Sequence, residues 1–237
     1  MKDLKSTINE LCPENIYETG YALLKGLLGP RYSGYGYGIS IARRLDDAVI
    51  DSIVSGPTPE YFDLYNKINS ELNFKAAEIA DFLAARGIDA RPVKATVDEG
   101  EFTPDYLKTL RHDFSHKLVA TRSGLGWIGK TDLFISKRFG PRVRLASVLT
   151  AEAVCAPGIP VTESLCGNCY ICVKSCPAGA ASGMAWNINV DRNEFYDPFK
   201  CMDWCRKISA EKLNRKISIC GICVSVCPAG KDAGQQV

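Results

Sequence analysis

The sequence predicts a mixed α/β domain (α/β or α+β) over residues 1–155, followed by a small cysteine-rich domain over 156–237. Three observations predict this. As far as Thr150, segments with apolar residues at helical spacing alternate with segments of period two, the mark of helices interleaved with strands. A Pro/Gly-bearing stretch, Ala156–Thr162 (APGIPVT), then interrupts the pattern. Ten of the eleven cysteines lie between Cys155 and Cys227.

Taken in order, residues 3–28 space their apolar positions roughly as a helix does, interrupted at Pro13 and closed by Gly29-Pro30. Tyr35–Arg43 (YGYGISIAR) reads as a strand and Asp46–Ile53 as a short helix. Thr58 is a candidate N-cap, with Pro59 at the first position of the next helix. Along that helix Tyr61, Leu64, Tyr65, Ile68, Leu72, Ala76, Ile79 and Leu83 form one apolar stripe, and Gly87 is placed to stop it. Ile88–Val97 reads as a strand, Pro104 to about Arg122 as one helix, and Gly124–Lys130 as a glycine loop. Asp132–Ser136 and Val143–Thr150 read as strands joined by the turn at Phe139-Gly140-Pro141.

A composition of 46% hydrophobic and 24% charged residues is that of a globular chain able to bury a core. The net charge of +2 offers no bulk attraction for nucleic acid or an anionic membrane. The N-terminal MKDLKSTINELCPEN lacks an apolar stretch of signal-peptide length, and no later run approaches a membrane span. The expectation is a soluble cytoplasmic protein. In such a reducing compartment, dense cysteines point to metal rather than to disulfides.

The spacing of those cysteines says which metal. Cys166, Cys169, Cys172 and Cys176 follow C-x2-C-x2-C-x3-C, with Pro177 next, the run of bacterial ferredoxins. Its first three thiols converge on one cubane, while the fourth serves the other cluster. Cys220, Cys223 and Cys227-Pro228 repeat the run without its leading cysteine. One [4Fe–4S] cluster would take Cys166, Cys169, Cys172 and Cys227. The other would take Cys176, Cys220, Cys223 and either Cys201 or Cys205. Zinc also favours CxxC pairs, but two interleaved runs ending in Cys-Pro do not divide into zinc sites. Cys12 and Cys155 read as plain buried thiols.

Gly124-Leu125-Gly126-Trp127-Ile128-Gly129 spells G-x-G-x-x-G, yet it follows a helix and precedes a strand, the reverse of a dinucleotide site. The glycines imply close backbone approach to another segment or to a cofactor. Trp127 either packs there or fills the core. His112 and His116, at i and i+4, would share one helix face, but HDFSH lacks the glutamate of a zinc helix. Tyr32, Tyr35 and Tyr37 read as packed strand tyrosines rather than a pocket lining.

The stretch RSGLGWIGKTDLFISKRFGPRVRLASVLT (Arg122–Thr150), with CGNCYICVKSCPAGA and ICGICVSVCPAG, resembles epoxyqueuosine reductase and its shorter relatives. GPTPEYFDLYNKIN looks like the short relatives too. The resemblance implies an N-terminal corrinoid-binding domain, akin to reductive dehalogenases and nitroreductase-like folds, fed with electrons by a two-cluster ferredoxin domain. It implies cobalamin against Gly124, Gly126, Trp127, Gly129 and Lys130. It also makes Cys201 (KCMDW) the ligand completing cluster two, with Cys205 extra. No D-x-H-x-x-G run is present to give cobalt a lower imidazole.

Two departures stand out. The family's proton-donating aspartate falls at about Leu110, with Asp105 and Asp113 out of register, and His116 stands where a family glutamate is usual. The sequence ends ten residues after Cys227, without the C-terminal region with which full-length enzymes hold tRNA. The expectation is therefore an iron–sulfur reductase passing electrons to a corrinoid or other redox centre, its catalytic residue unassigned. A ferredoxin-like carrier without corrinoid is the alternative, and a tRNA epoxyqueuosine reductase with its acid from elsewhere is a third. An electron-donor protein of ferredoxin or flavodoxin type is the expected partner, with a small-molecule or corrinoid ligand. Neither membrane nor nucleic acid is expected as a partner.

Overall fold

The computed structural model describes residues 3–97 and 99–231. Residues 232–237, at the end of the sequence where the tRNA-holding region was expected to be missing, lie outside the described residues. Contacts group the chain into two units, each assembled from separate stretches. The first comprises Met1–Arg44, Ile68–Leu125 and Arg144–Val161; the second comprises Leu45–Lys67, Gly126–Val143 and Thr162–Val237. The boundary read at 155–156 falls near the Val161–Thr162 junction. The two earlier stretches of the second unit hold no cysteine, so composition does not mark them as companions of the cysteine runs.

The first unit is a mixed α/β body. Helix α1 (Leu4–Leu11) leads into β1 (Tyr17–Leu23), followed by β2 (Tyr37–Arg44). In chain order α2 (Asp47–Asp51) and the first turns of α3 (Pro59–Ala84) fall in the second unit, and the rest of α3, β3 (Ala90–Val93), α4 (Pro104–Thr109) and α5 (His116–Arg122) in the first. β4 (Gly126–Ile128) and β5 (Phe134–Ser136) fall in the second unit, and β6 (Val143–Thr150) returns to the first. The sheet of the first unit runs β1-β2-β6-β3. β1 and β2 are antiparallel, with Tyr17 opposite Arg43 and Leu23 opposite Tyr37. β3 and β6 are antiparallel too, with Ala90 opposite Thr150. Gly38 to Ala42 are all buried, so β2 is covered on both faces.

Two sequence expectations fail here for local reasons. The helix expected over 3–28 ends at Leu11, and 17–23 is strand. Tyr17, Thr19, Gly20 and Tyr21 are weak helix formers, and pairing with β2 overrides the apparent spacing. Gly20 is needed for packing: a Cβ there would lie 2.6 Å from Ser123 Oγ, at the end of α5. The helix expected from Pro104 to Arg122 is two helices. Leu110 caps α4 in the left-handed region (φ 50°), and Ser115 Oγ accepts from Leu118 N to start α5 afresh. His112 therefore lies in the link, stacked on Tyr106 at 4.0 Å between ring centroids, and shares no helix face with His116.

The long helix is as read. Thr58 Oγ1 accepts from Tyr61 N at 3.2 Å, and Gly87 follows the helix at φ +79°. Within the first unit, its Glu71 accepts from Tyr17 Oη and from Arg43 Nε, the latter at 2.8 Å. Its Asn69 accepts from Arg144 Nε at 3.0 Å. α5 packs on β1 and β2 through a core of Ala22, Leu24, Tyr32, Val119 and Leu149. Cys12 is buried, and desolvation pushes its thiol up to about 12, as befits an inert core thiol. Cys155 departs from expectation, being only half-buried beside Tyr21.

His116 Nδ1 meets Ser147 Oγ at 2.9 Å and Nε2 meets Lys94 O at 2.8 Å. The neutral tautomer that donates from Nε2 satisfies both. Desolvation is the main cause holding its pKa down to about 4. The unfolded histidine, near 6.5, binds a proton that the folded one refuses. Its contribution is thus complete above about pH 6.5 and is lost as pH falls toward 4. Urea midpoints should decline through that window, and His116→Gln should flatten the decline.

The second unit is built around the cysteine runs. Its short helices are α6 (Ile171–Lys174), α7 (Arg192–Phe195) and α9 (Ile222–Ser225), with the long α8 (Pro198–Leu213) between α7 and α9. α6 packs on α9 and α2 packs on α9. Ser225 Oγ donates to Ile53 O at 2.7 Å, and Gly221 sits where a Cβ would lie 2.8 Å from Ile53 and Tyr61 side-chain atoms. Arg142, 1% exposed, donates to Asp47 at 2.9 Å and to Asp51 at 2.5 Å, fixing α2. The Phe139–Gly140 turn lies against Ala229 and Gly230, where a Cβ on Gly140 would approach Ala229 O to 1.9 Å. These contacts explain why 45–67 and 126–143 group with the cysteines. Among the described residues, no helix is long and apolar enough to cross a membrane.

Candidate metal centre

The first cysteine run opens in a loop, with Gly167 at φ +49°, then places Cys172 on α6 and Cys176 just beyond it. The β4–β5 hairpin supports this loop from within the same unit. Trp127 Nε1–H donates to Cys166 Sγ at 3.3 Å. Lys130, 2% exposed, donates to Gly167 O at 2.8 Å and Cys169 O at 3.0 Å, with its ammonium 3.5 Å from the Tyr170 ring centre. Thr131 hydrogen-bonds the Cys172 thiol.

The second run places Cys220 before α9, Cys223 on it and Cys227 after it. α8 supplies the remaining thiols. Asp197 caps it by accepting from Phe199 N and Lys200 N at 3.0 Å, Pro198 opens it and Asn214, at φ 52°, closes it. Cys201 and Cys205, one turn apart, share a face, their sulfurs 3.7 Å apart.

The thiols sort by the charges they feel. Burial pushes up Cys227, which also senses Cys172, Cys166 and Cys169. Burial pushes up Cys223 as well, which senses Cys201, Cys220, Cys172 and Cys176. Desolvation raises Cys172 too. Enclosed thiols of this kind stay protonated alone and become thiolates when a metal binds them. Cys205 lies between Cys201 and Cys220. Its hydrogen bonds are the first cause lowering each of those thiols to about 7, and its own proton is held tightly by the same two partners. The donors are all sulfur, the chemistry that iron–sulfur cubanes take, with Cys227 in the field of the first run and Cys223 in the field of thiols from both runs.

All eight cysteines named from the sequence lie in this unit. The glycine loop does not survive as a loop, since 126–128 is strand. Its close approaches are to the chain itself. A Cβ on Gly126 would lie 2.0 Å from Ile135 O, one on Gly129 3.1 Å from the Ile135 side chain, and one on Gly124, at φ +81°, 2.6 Å from Ile159 O. Trp127 and Lys130 turn toward the first cysteine run. Sequence reasoning missed α8, although Asp-Pro at one end and Asn at the other are cap signals. It also missed Tyr196, Thr131, Asp132 and Trp204, which surround the thiols without any motif to mark them.

Residues 165–230 match the 4Fe-4S double cluster binding domain. Curated epoxyqueuosine reductases match a larger part. That of Listeria monocytogenes serovar 1/2a is 30% identical over 164 residues, covering 66% of this chain and 37% of the enzyme. That of Bacillus subtilis (strain 168) is 27% identical over 160 residues, covering 65% and 35%. The chain is similar to the epoxyqueuosine reductases over part of its length and carries a double-cluster iron–sulfur domain.

This relative spans about a third of the length of the curated reductases it matches. An epoxyqueuosine reductase solved with an epoxyqueuosine-modified tRNA-Tyr stem loop shares its fold at a TM-score of 0.56 and 17% identity, over 97% of this chain and 66% of that one. A reductive dehalogenase described as B12-dependent gives 0.61 at 16% identity, over 89% and 29%. The mixed α/β fold is thus shared with both groups. The expectation that nucleic acid is no partner loses its support, because the matched relatives include one bound to tRNA.

Proposed function

We propose that the chain is an iron–sulfur reductase whose cysteine-rich part supplies single electrons to a corrinoid held by the α/β part, with epoxyqueuosine in tRNA as the first substrate to test. The observation that carries the reading is the match of residues 165–230 to a double-cluster domain, with both cysteine runs and the α8 thiols gathered in one unit. Cluster one takes Cys166, Cys169, Cys172 and Cys227. Cluster two takes Cys176, Cys201, Cys220 and Cys223, with Cys205 hydrogen-bonded beside Cys201 and Cys220. Bound there, the cubanes supply low-potential one-electron chemistry. An electron-donor protein of ferredoxin or flavodoxin type and a cytoplasmic location belong to this reading.

The corrinoid rests on the relatives rather than on the glycine loop, whose bareness serves strand pairing. That same fact favours the second reading, a ferredoxin-like carrier with no corrinoid. The family aspartate position, Leu110, ends α4, and the nearby Asp113 pairs with Arg31 at 3.4 Å. An acid for epoxide reduction would come from elsewhere. Anaerobic titration of the reconstituted protein with cobalamin separates the readings. A spectral change saturating at micromolar cobalamin is expected, and its absence with intact clusters leaves the carrier. Turnover of epoxyqueuosine-bearing tRNA then tests the substrate.

A further inference from the structure

Residues 127–131 run from the end of β4 into the turn of the β4–β5 hairpin, and their polar groups gather on the first run of thiols. Trp127 gives an N–H to Cys166 Sγ, Lys130 brings a buried ammonium to the carbonyls of Gly167 and Cys169, and Thr131 bonds the Cys172 thiol. One hairpin thus sets a cation and a sulfur hydrogen bond at the first cluster's loop.

The reduced cubane carries one more negative charge than the oxidised one. Net charge, hydrogen bonds to sulfur and exposure set its potential. A donor to a ligand sulfur and an ammonium in a site of low dielectric both favour reduction. We infer that this hairpin raises the potential of one cluster above the other, making the cluster of Cys166, Cys169, Cys172 and Cys227 the easier to reduce. The inference rests on the two-cluster reading. Trp127 and Lys130 act through the cluster ligands and are positioning residues. Electrons entering the protein would settle at the first cluster and leave through it or climb to the second.

The test is a potentiometric titration of the reconstituted full chain with dithionite and mediators, followed by electron paramagnetic resonance. Each cluster takes one electron from the dithionite. Trp127→Phe keeps the ring and removes the N–H, and Lys130→Gln removes the charge. Each should move the higher couple down, so that the reduced-to-oxidised ratio at fixed potential falls about tenfold, or about 59 mV. The two couples converge in both variants. Unmoved couples in Trp127→Phe with about eight irons retained, or a lower couple that answers to Trp127→Phe, would overturn the inference. Should Lys130→Gln lose iron, Trp127→Phe still decides. A wild-type protein that never takes up both clusters overturns the cluster reading itself, which the iron content reports separately.

Discussion

Gly126→Val is expected to open the β4–β5 hairpin and destabilise the first cluster. Gly126 pairs with Ser136 across the hairpin, and its missing Cβ would lie 2.0 Å from Ile135 O and 2.8 Å from the Phe134 ring. Valine adds two further carbons to that clash. Backbone cannot yield as a flexible side chain does, so the cost should reach about 3 kcal/mol or more, the upper end for overpacking. Opening the hairpin also withdraws Trp127 from Cys166 and Lys130 from the loop of Gly167 and Cys169. The urea midpoint should fall and iron should be lost together. A variant with native stability and full iron would mean that the hairpin is dispensable to the centre.

Cys223→Ser is expected to halve the iron. Cys223, half-buried, lies in the field of Cys201, Cys220, Cys172 and Cys176. Serine is a hard, weakly acidic donor where the metal wants thiolate. Iron should drop from about eight to about four per chain, as two four-iron cubanes require. Cys201→Ser should do the same. Cys205→Ser should retain both clusters, because in this reading Cys205 only hydrogen-bonds beside Cys201 and Cys220, and a hydroxyl can do the same. If Cys205→Ser loses a cluster while Cys201→Ser keeps both, the ligand on α8 is one turn further along.

The centre was more legible in the sequence than the body that carries it. Cysteine spacing is a covalent ruler: short links between thiols allow few geometries, and Cys-Pro at the end of each run marks the interchange of fourth ligands. Spacing alone left Cys201 and Cys205 open, since both lie on one face of α8, and only the resemblance pointed to Cys201. The first unit was harder. Residues 17–23 carry helical spacing yet form β1, because pairing with β2 and the close approach of Ser123 to Gly20 outweigh local preference. The segment 104–122 carries one apolar stripe, but Leu110 turns left-handed and Ser115 restarts the helix, a break without glycine or proline. The glycine loop illustrates the limit most clearly. Its bareness was readable, whereas the close neighbour of Gly126, Ile135 across the same hairpin, was not.

The support given to the cysteines by 45–67 and 126–143 was equally hidden. Ile53 and Tyr61 against Gly221, and Phe139 against Gly230, are contacts between residues far apart in sequence, with no motif on either side. Buried Arg142, paired with Asp47 and Asp51, is a charge that sequence alone would place in solvent.

The most direct measurement is the iron and acid-labile sulfide content of the anaerobically reconstituted protein, taken with its zinc content. Two cubanes on eight thiolates predict about eight irons and about eight sulfides per chain, with no stoichiometric zinc. About four irons would leave one of the two thiol sets without its cluster. Stoichiometric zinc without sulfide would contradict the account of this centre altogether.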